Sequence, residues 1–218
     1  MLYKFVKFDG GKNKMIIKHQ DAFSRLIRAL RALPNVGPKS AQRMAFQLLQ
    51  QNRKGAEELV AALQQALRQV QHCECCNTFC EKKLCEICTN PNRDKHRLMI
   101  VHMPTDIANM EAANCHDGLY FVLMGQINPS QGIDLNGIAI NKLTARLHDD
   151  KIEEVIIATA FTAEGDATAY VLAELLKPLP CKVSRLARGV PLGAELEYVD
   201  AGTLAQAVYE RQQLKEEN

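Results

Sequence analysis

Apolar residues recur at helical spacing through the first third of the chain and gather into short dense runs through the rest. From Asp21 onward, Phe23, Leu26, Ile27, Leu30 and Leu33 fall on one helical face, with Asp21 placed to cap it. Pro34-Asn35-Val36-Gly37-Pro38 stops that helix and opens the next, Pro38 suiting the first helical position. Ala41, Met44, Ala45, Leu48 and Leu49 give the second helix a buried stripe. A third helix over about residues 56–70 carries Leu59, Val60, Leu63, Ala66 and Leu67. After Asp94 the texture changes. Strand runs at 98–101, 120–124, 154–159 and 182–187 alternate with helices over about 107–113, 138–147, 166–176 and 204–211, and Gly125–Gly137 reads as a loop. Such alternation predicts an α/β part with a mostly parallel sheet covered on both faces, preceded by an all-α part. Residues 1–20 show little pattern. They read either as a flexible arm or, given Met15, as an over-extended start.

Composition narrows the class. The chain has 218 residues, 47% hydrophobic and 24% charged, and is long enough to bury a core in one or two domains. No apolar run approaches a membrane span, and lysines break up the opening stretch too often for a signal-peptide core. The expected location is therefore the reducing cytoplasm, where cysteines hold metals or stay as thiols. Net charge is only +2, so any nucleic-acid binding rests on local clustering. Arg25, Arg28, Arg31, Lys39, Arg43, Arg53 and Lys54 do cluster, all ahead of the first cysteine.

Cysteine spacing carries the sharpest chemistry. Cys73-x-x-Cys76 and Cys85-x-x-Cys88 are separated by eight residues. Two thiolates three apart on a tight turn grip one face of a tetrahedral ion, and the second pair closes the other face. Four filled positions make a structural Zn²⁺ site, one per chain, rather than a catalytic one; the bland alternative is incidental thiols. Cys75 and Cys80 lie within the module but outside the pattern, and ligand exchange through Cys75 is geometrically worse because Cys75 and Cys76 are adjacent. Cys115 and Cys181 read as small core hydrophobes.

The segment Leu33–Ala41 has the form of a helix-hairpin-helix, a unit that holds DNA without reading its sequence. Gly37 brings backbone close to a phosphate, and the N–H groups at the next helix start point at the anion. Lys39 and Arg43, four apart, face the same backbone. Asn35 stands where such hairpins usually place their first glycine, and Asn tolerates positive φ. The plain alternative is a capped helical turn with a solvated basic face.

In order and spacing, Leu33–Phe46, the four-cysteine site, Tyr120–Gly125, Thr162–Thr168 and Gly189–Glu197 resemble the bacterial recombination mediator family RecR. From about residue 21 onward, after the arm at 1–20 whose status stays open, the resemblance implies a helix-hairpin-helix domain at 21–72, a four-cysteine zinc finger at 73–94, a Toprim domain at 96–191 and a C-terminal segment at 192–218. It implies a non-enzymatic mediator in DNA repair, present in the cytoplasm at the nucleoid and assembled as a ring-shaped homotetramer. The implied ligands are gapped, single- and double-stranded DNA and the proteins RecO and RecF, with RecA loading as the outcome. Cys73, Cys76, Cys85 and Cys88 match the zinc ligands; Lys39 and Arg43 match the basic hairpin positions.

Catalytic Toprim domains hold Mg²⁺ with a Glu after the first strand and an Asp-x-Asp after a later one. Here His102 and Ala160-Phe161-Thr162 occupy those places, which argues against catalysis. Glu164 and Asp166 remain nearby, leaving a Mg²⁺-dependent nuclease or strand-passing enzyme as the alternative. His102 is either a ligand or base, or a hydrogen-bonded loop residue. With Glu164 and Asp166 it marks a surface where the family is implied to meet RecO. Arg188 and Gln131 also depart from the commoner family pattern.

Overall fold

A computed structural model describes residues 21–128, 132, 138–149 and 151–211. The expectations for residues 1–20, Gln131 and residues 212–218 lie outside these. The chain divides into two compact units, before and after the Arg68–Gln69 junction.

The first unit is helical. Helix α1 (Ala22–Leu30) begins where Asp21 accepts a hydrogen bond from the Ser24 N–H at 2.7 Å. It ends at Leu30, short of the expected Leu33, because Asn35 turns the chain through the left-handed region at φ 62°. Helix α2 (Pro38–Phe46) carries Pro38 in its first turn and widens into a π-helical turn at Gln47–Gln51. Helix α3 spans Arg53–Gln69. Only Ala41 and Ala45 of α1–α3 are buried. The buried stripe expected of α2 holds only in part: Ala41 and Ala45 are buried, but Met44 and Leu49 are 39% and 48% exposed, and Leu59, Val60, Leu63 and Leu67 of α3 are exposed as well.

The second unit opens with a small antiparallel pair, β1 (Gln71–His72) and β2 (Phe79–Cys80), followed by the short helix α4 (Glu86–Thr89). Then β3 (Asp94–Val101), α5 (Pro104–Ala113), β4 (Gly118–Val122), α6 (Ile140–Asp149), β5 (Glu154–Ala158), α7 (Ala163–Leu176) and β6 (Lys182–Arg185) alternate. A 3₁₀ turn at Leu196–Tyr198 and helix α8 (Ala201–Tyr209) follow. All pairings in the larger sheet are parallel, in the order β4-β3-β5-β6.

Alternate residues feed two cores. Leu98, Ile100, Leu119, Phe121, Val155 and Ile157 pack with Leu143 and Leu147 of α6 and with Ala169, Leu172 and Leu176 of α7. Met99, Val101, Tyr120 and Val122 pack with Ile107 of α5, and Ile87 of the cysteine segment joins them. The chain leaves β3 toward one face and β5 toward the other, so the reversal falls between these strands. A crevice outside their carboxyl ends is where open α/β sheets place ligands. The helices α5, α7 and α8 begin about three residues earlier than expected, since their first turns are polar and periodicity sees only the apolar part.

Candidate functional site: thiol cluster, basic hairpin and strand ends

The four patterned cysteines converge. Their sulfur atoms all lie within 4.8 Å of one another, with Cys73 and Cys76 buried and Cys85 and Cys88 half-buried. Local backbone makes the knuckles: the Asn77 N–H donates to the Cys73 carbonyl at 2.9 Å through a left-handed Asn77 (φ 63°). The Cys85 N–H donates to the Cys73 Sγ at 3.3 Å, and α4 starts directly after Cys85. Crowding splits the thiols. Hydrogen bonding from Cys88 pulls Cys76 down to about 5, whereas burial pushes Cys85 up to about 12. Cys88 is also pushed up, first by its hydrogen bond with Cys75 and next by Cys76. Four thiols this close resist ionising together, and a dication with tetrahedral preference is what would let all four do so. The donor set fits Zn²⁺.

The module is seated on the sheet. Strand β4 is an edge, and its outward groups belong to Tyr120 and Val122. Val122 N–H donates to the Cys76 carbonyl at 2.9 Å, and Asn77 Nδ2 donates to the Val122 carbonyl at 2.8 Å. Arg146 donates to the carbonyls of Tyr120 at 2.7 Å and Cys75 at 3.2 Å, while Lys142 reaches Asn77 Oδ1 at 3.0 Å. The knuckle therefore closes an edge that would otherwise offer itself for pairing. Sequence spacing found the cysteines but missed Asn77 and Arg146, whose partners are far along the chain.

None of the eight cysteines is in a disulfide. Cys181 packs against the larger core as expected. Cys115 does not: it is exposed, with its sulfur 3.8 Å from the Met110 carbonyl, because it follows the left-handed Asn114 that ends α5.

In the first unit, Lys39 and Arg43 are exposed one turn apart on α2. Gly37 caps that helix without a side-chain bond, and Pro38 brings no N–H. The first-turn amides of Lys39 and Ser40 therefore lack helical acceptors and can meet an anion. Gly37 has φ −76° and nothing within 4 Å of an added Cβ, so no fold requirement holds glycine there.

At the sheet's carboxyl end, His102 follows β3 half-buried, its N–H donating to Asp106 Oδ2 at 3.1 Å. Thr162 caps α7, and Gly165 lies so close to Ala160 that a Cβ would meet its carbonyl oxygen at 2.0 Å. Asp166 Oδ1 accepts from both Arg185 and Arg188 at 2.7 Å each, which holds its carboxyl below the usual carboxylate range. The same two guanidiniums flank the Phe161 ring at 4.7 Å. Glu164 is half-buried in the first turn of α7. Of the two expected carboxylates, Asp166 is therefore charge-compensated by Arg185 and Arg188. Phe161 and Arg185, which no motif marked, are central to it, and Arg188 has a role the family comparison alone did not suggest.

Three family profiles match this chain: RecR, helix-hairpin-helix over residues 23–67, the Toprim domain over 96–187, and RecR, C-terminal over 189–212. Recombination protein RecR of Neisseria gonorrhoeae (strain NCCP11945) is 71% identical over 199 residues, spanning 91% of this chain and 97% of that protein. The chain belongs to the RecR family. The RecR of Neisseria meningitidis serogroup C (strain 053442) is 68% identical over 199 residues, with the same shares. That of Chromobacterium violaceum is 53% identical over 195 residues, 89% of this chain and 98% of its own. RecR membership supports a role in recombination and repair, and fits the helical hairpin and parallel sheet seen here. Among the described residues no helix is long and apolar enough to cross a membrane.

Proposed function

We propose that this chain is a DNA-binding recombination mediator without catalytic activity of its own. The observation that carries the reading is the start of α2: uncapped amides beside Lys39 and Arg43, within the segment matched to the RecR helix-hairpin-helix. Such a turn grips phosphates of gapped, single-stranded or duplex DNA without reading bases, and binding falls with salt as counterions return. Two cations on one hairpin bind weakly. A homotetrameric ring presenting several hairpins raises their effective concentration, and the exposed apolar stripe of α3 supports self-association. Zn²⁺ held by Cys73, Cys76, Cys85 and Cys88 is structural. Partner contact with RecO and RecF, leading to RecA loading, is assigned to the strand-end surface of His102, Glu164 and Asp166, together with Phe161, Arg185 and Arg188.

The test is fluorescence anisotropy of labelled gapped DNA across a salt series. Lys39→Ala with Arg43→Ala is expected to shrink the log–log salt slope by about two per engaged hairpin. Gly37→Ala is expected to keep the fold, given the open space around it, yet weaken binding where backbone meets phosphate. Unchanged affinity in both variants would remove the hairpin from the mechanism. A Mg²⁺-dependent Toprim nuclease using Glu164 and Asp166 is the competing reading. The two arginines on Asp166 disfavour a dication there; cleavage of supercoiled DNA in Mg²⁺ or Mn²⁺ would reinstate it.

A further inference from the structure

Between Asp21 and Glu57 the chain carries no acidic residue, while Arg25, Arg28, Arg31, Lys39, Arg43, Arg53 and Lys54 all fall in that span. The hairpin uses Lys39 and Arg43, and Arg53 and Lys54 pair with Glu57 and Glu58 along α3. Arg25, Arg28 and Arg31 remain. They stand three apart on α1 and its C-cap, a spacing that sets side chains in one inclined row on a helix surface. All three are exposed, and among the described residues none has an ion-pair partner. Asp21, one turn before Arg25, gives its Oδ1 to the Ser24 N–H at 2.7 Å. Helix electrostatics accounts for only part of the row. Cations near a helix C-terminus face the negative end of its dipole, which suits Arg28 and Arg31. Arg25 closes the first turn, where a cation opposes the positive end, and no acid within that turn offsets it. Lys39 repeats the pattern in the first turn of α2. From α1 through α2 the chain thus holds five cations and no acid, a self-repelling surface that a polyanion relieves.

From this arrangement we propose that Arg25, Arg28 and Arg31 form a second phosphate-contact row, so that α1 as well as the start of α2 holds the DNA backbone. The row rests on the DNA-binding reading above and extends it to a helix that the hairpin motif does not mark. Helices α1 and α2 pack together within one compact unit, so the row travels with Lys39 and Arg43 as one basic surface. Six residues of helix set Arg25 and Arg31 about 9 Å apart along the axis, roughly three phosphate steps at ~3.4 Å each on one strand of a duplex. A guanidinium takes two phosphate oxygens at once, which adds affinity and orientation without reading bases. An acidic protein would need carboxylates placed to match this row. A regularly charged backbone meets it in any register, which favours nucleic acid.

The experiment measures anisotropy of labelled duplex and single-stranded DNA with the full-length chain across a salt series. Three proteins are compared: the unmodified chain, the hairpin pair Lys39→Ala with Arg43→Ala, and the row variant Arg25→Gln with Arg28→Gln and Arg31→Gln. The row variant is expected to lose about 0.9 of log–log salt slope per missing contact on duplex, and about 0.7 on single strands. Replacing the same three residues by Lys is expected to restore the slope, because the counterion count follows charge. The urea midpoint of the row variant is expected to match the unmodified chain, since the row has no partner within the described residues. Should the triple change lower that midpoint, Arg25→Gln alone, which removes a cation from the wrong end of α1, decides the slope. An unchanged slope in the row variant, with the hairpin pair still losing its share, overturns the row and leaves the mediator reading standing. A row variant that loses slope while the hairpin pair does not supports the row and removes the hairpin instead. An unmodified chain without salt-dependent binding overturns both.

Discussion

Asn77 is 3% exposed, sits at φ 63°, and spends both ends of its amide, one on the Val122 carbonyl and the other on Lys142. Asn77→Gly keeps the backbone conformation and removes only the side-chain bonds. Leaving the Val122 carbonyl without that donor is expected to cost about 1–3 kcal/mol in urea unfolding, the range for an orphaned buried polar group. His116 is a second residue-scale determinant. Burial lowers its pKa below 6.5, and its Nε2–H donates to the Leu119 carbonyl at 3.1 Å, with Tyr120 edge-on at 4.9 Å. Between the folded value and 6.5 the unfolded chain binds more protons, so stability rises with pH through that window. The contribution is complete above about 6.5 and is lost as pH falls below it. His116→Gln, which can still donate to Leu119, is expected to flatten this part of the profile of urea midpoint between pH 7.5 and 5.5. The left-handed Asn35 was legible in the sequence, because the hairpin spacing put it at the turn. The role of Asn77 was not, since Val122 is 45 residues away.

At the scale of elements, α3 makes the clearest demand. Its ion pairs, Arg53–Glu57 and Lys54–Glu58, are exposed at 3.8 Å and contribute little. A helix with apolar residues along one side draws most of its stability from covering them. The stripe of Leu59, Val60, Leu63 and Leu67 has no cover within its own unit. Leu63→Glu is expected to shift the chain toward smaller species in sedimentation velocity while circular dichroism at high concentration keeps the sheet signal. Helical periodicity in the sequence marked this face as an apolar stripe. What covers such a face is not a local property, and the pattern alone does not name its partner. The β4 edge shows the same division: its apolar run reads as a strand, but nothing in that run says that Cys75–Asn77 will close it.

For the molecule as a whole, the metal site proposed above would link metal binding to the integrity of the second unit. Its knuckle supplies Ile87 to one core and closes the exposed strand through Cys76, Asn77 and Arg146. Stripping Zn²⁺ with a mercurial and a chelator is therefore expected to lower the urea midpoint and to promote association through the freed β4 edge; restoring Zn²⁺ is expected to reverse both. A chain whose stability and solubility ignore the treatment would show the module to be an appendage.

The sequence by itself determined the order of elements, the parallel alternation, the four converging cysteines and the basic turn between α1 and α2, because each is written in residues a few positions apart. Tertiary structure decided which faces found partners, which thiols stayed out of the core, and that Asp166 is shared by Arg185 and Arg188. Those are contacts between segments separated along the chain. They arise only when strand order and helix packing fix which distant side chains meet, and neither periodicity nor spacing carries that information.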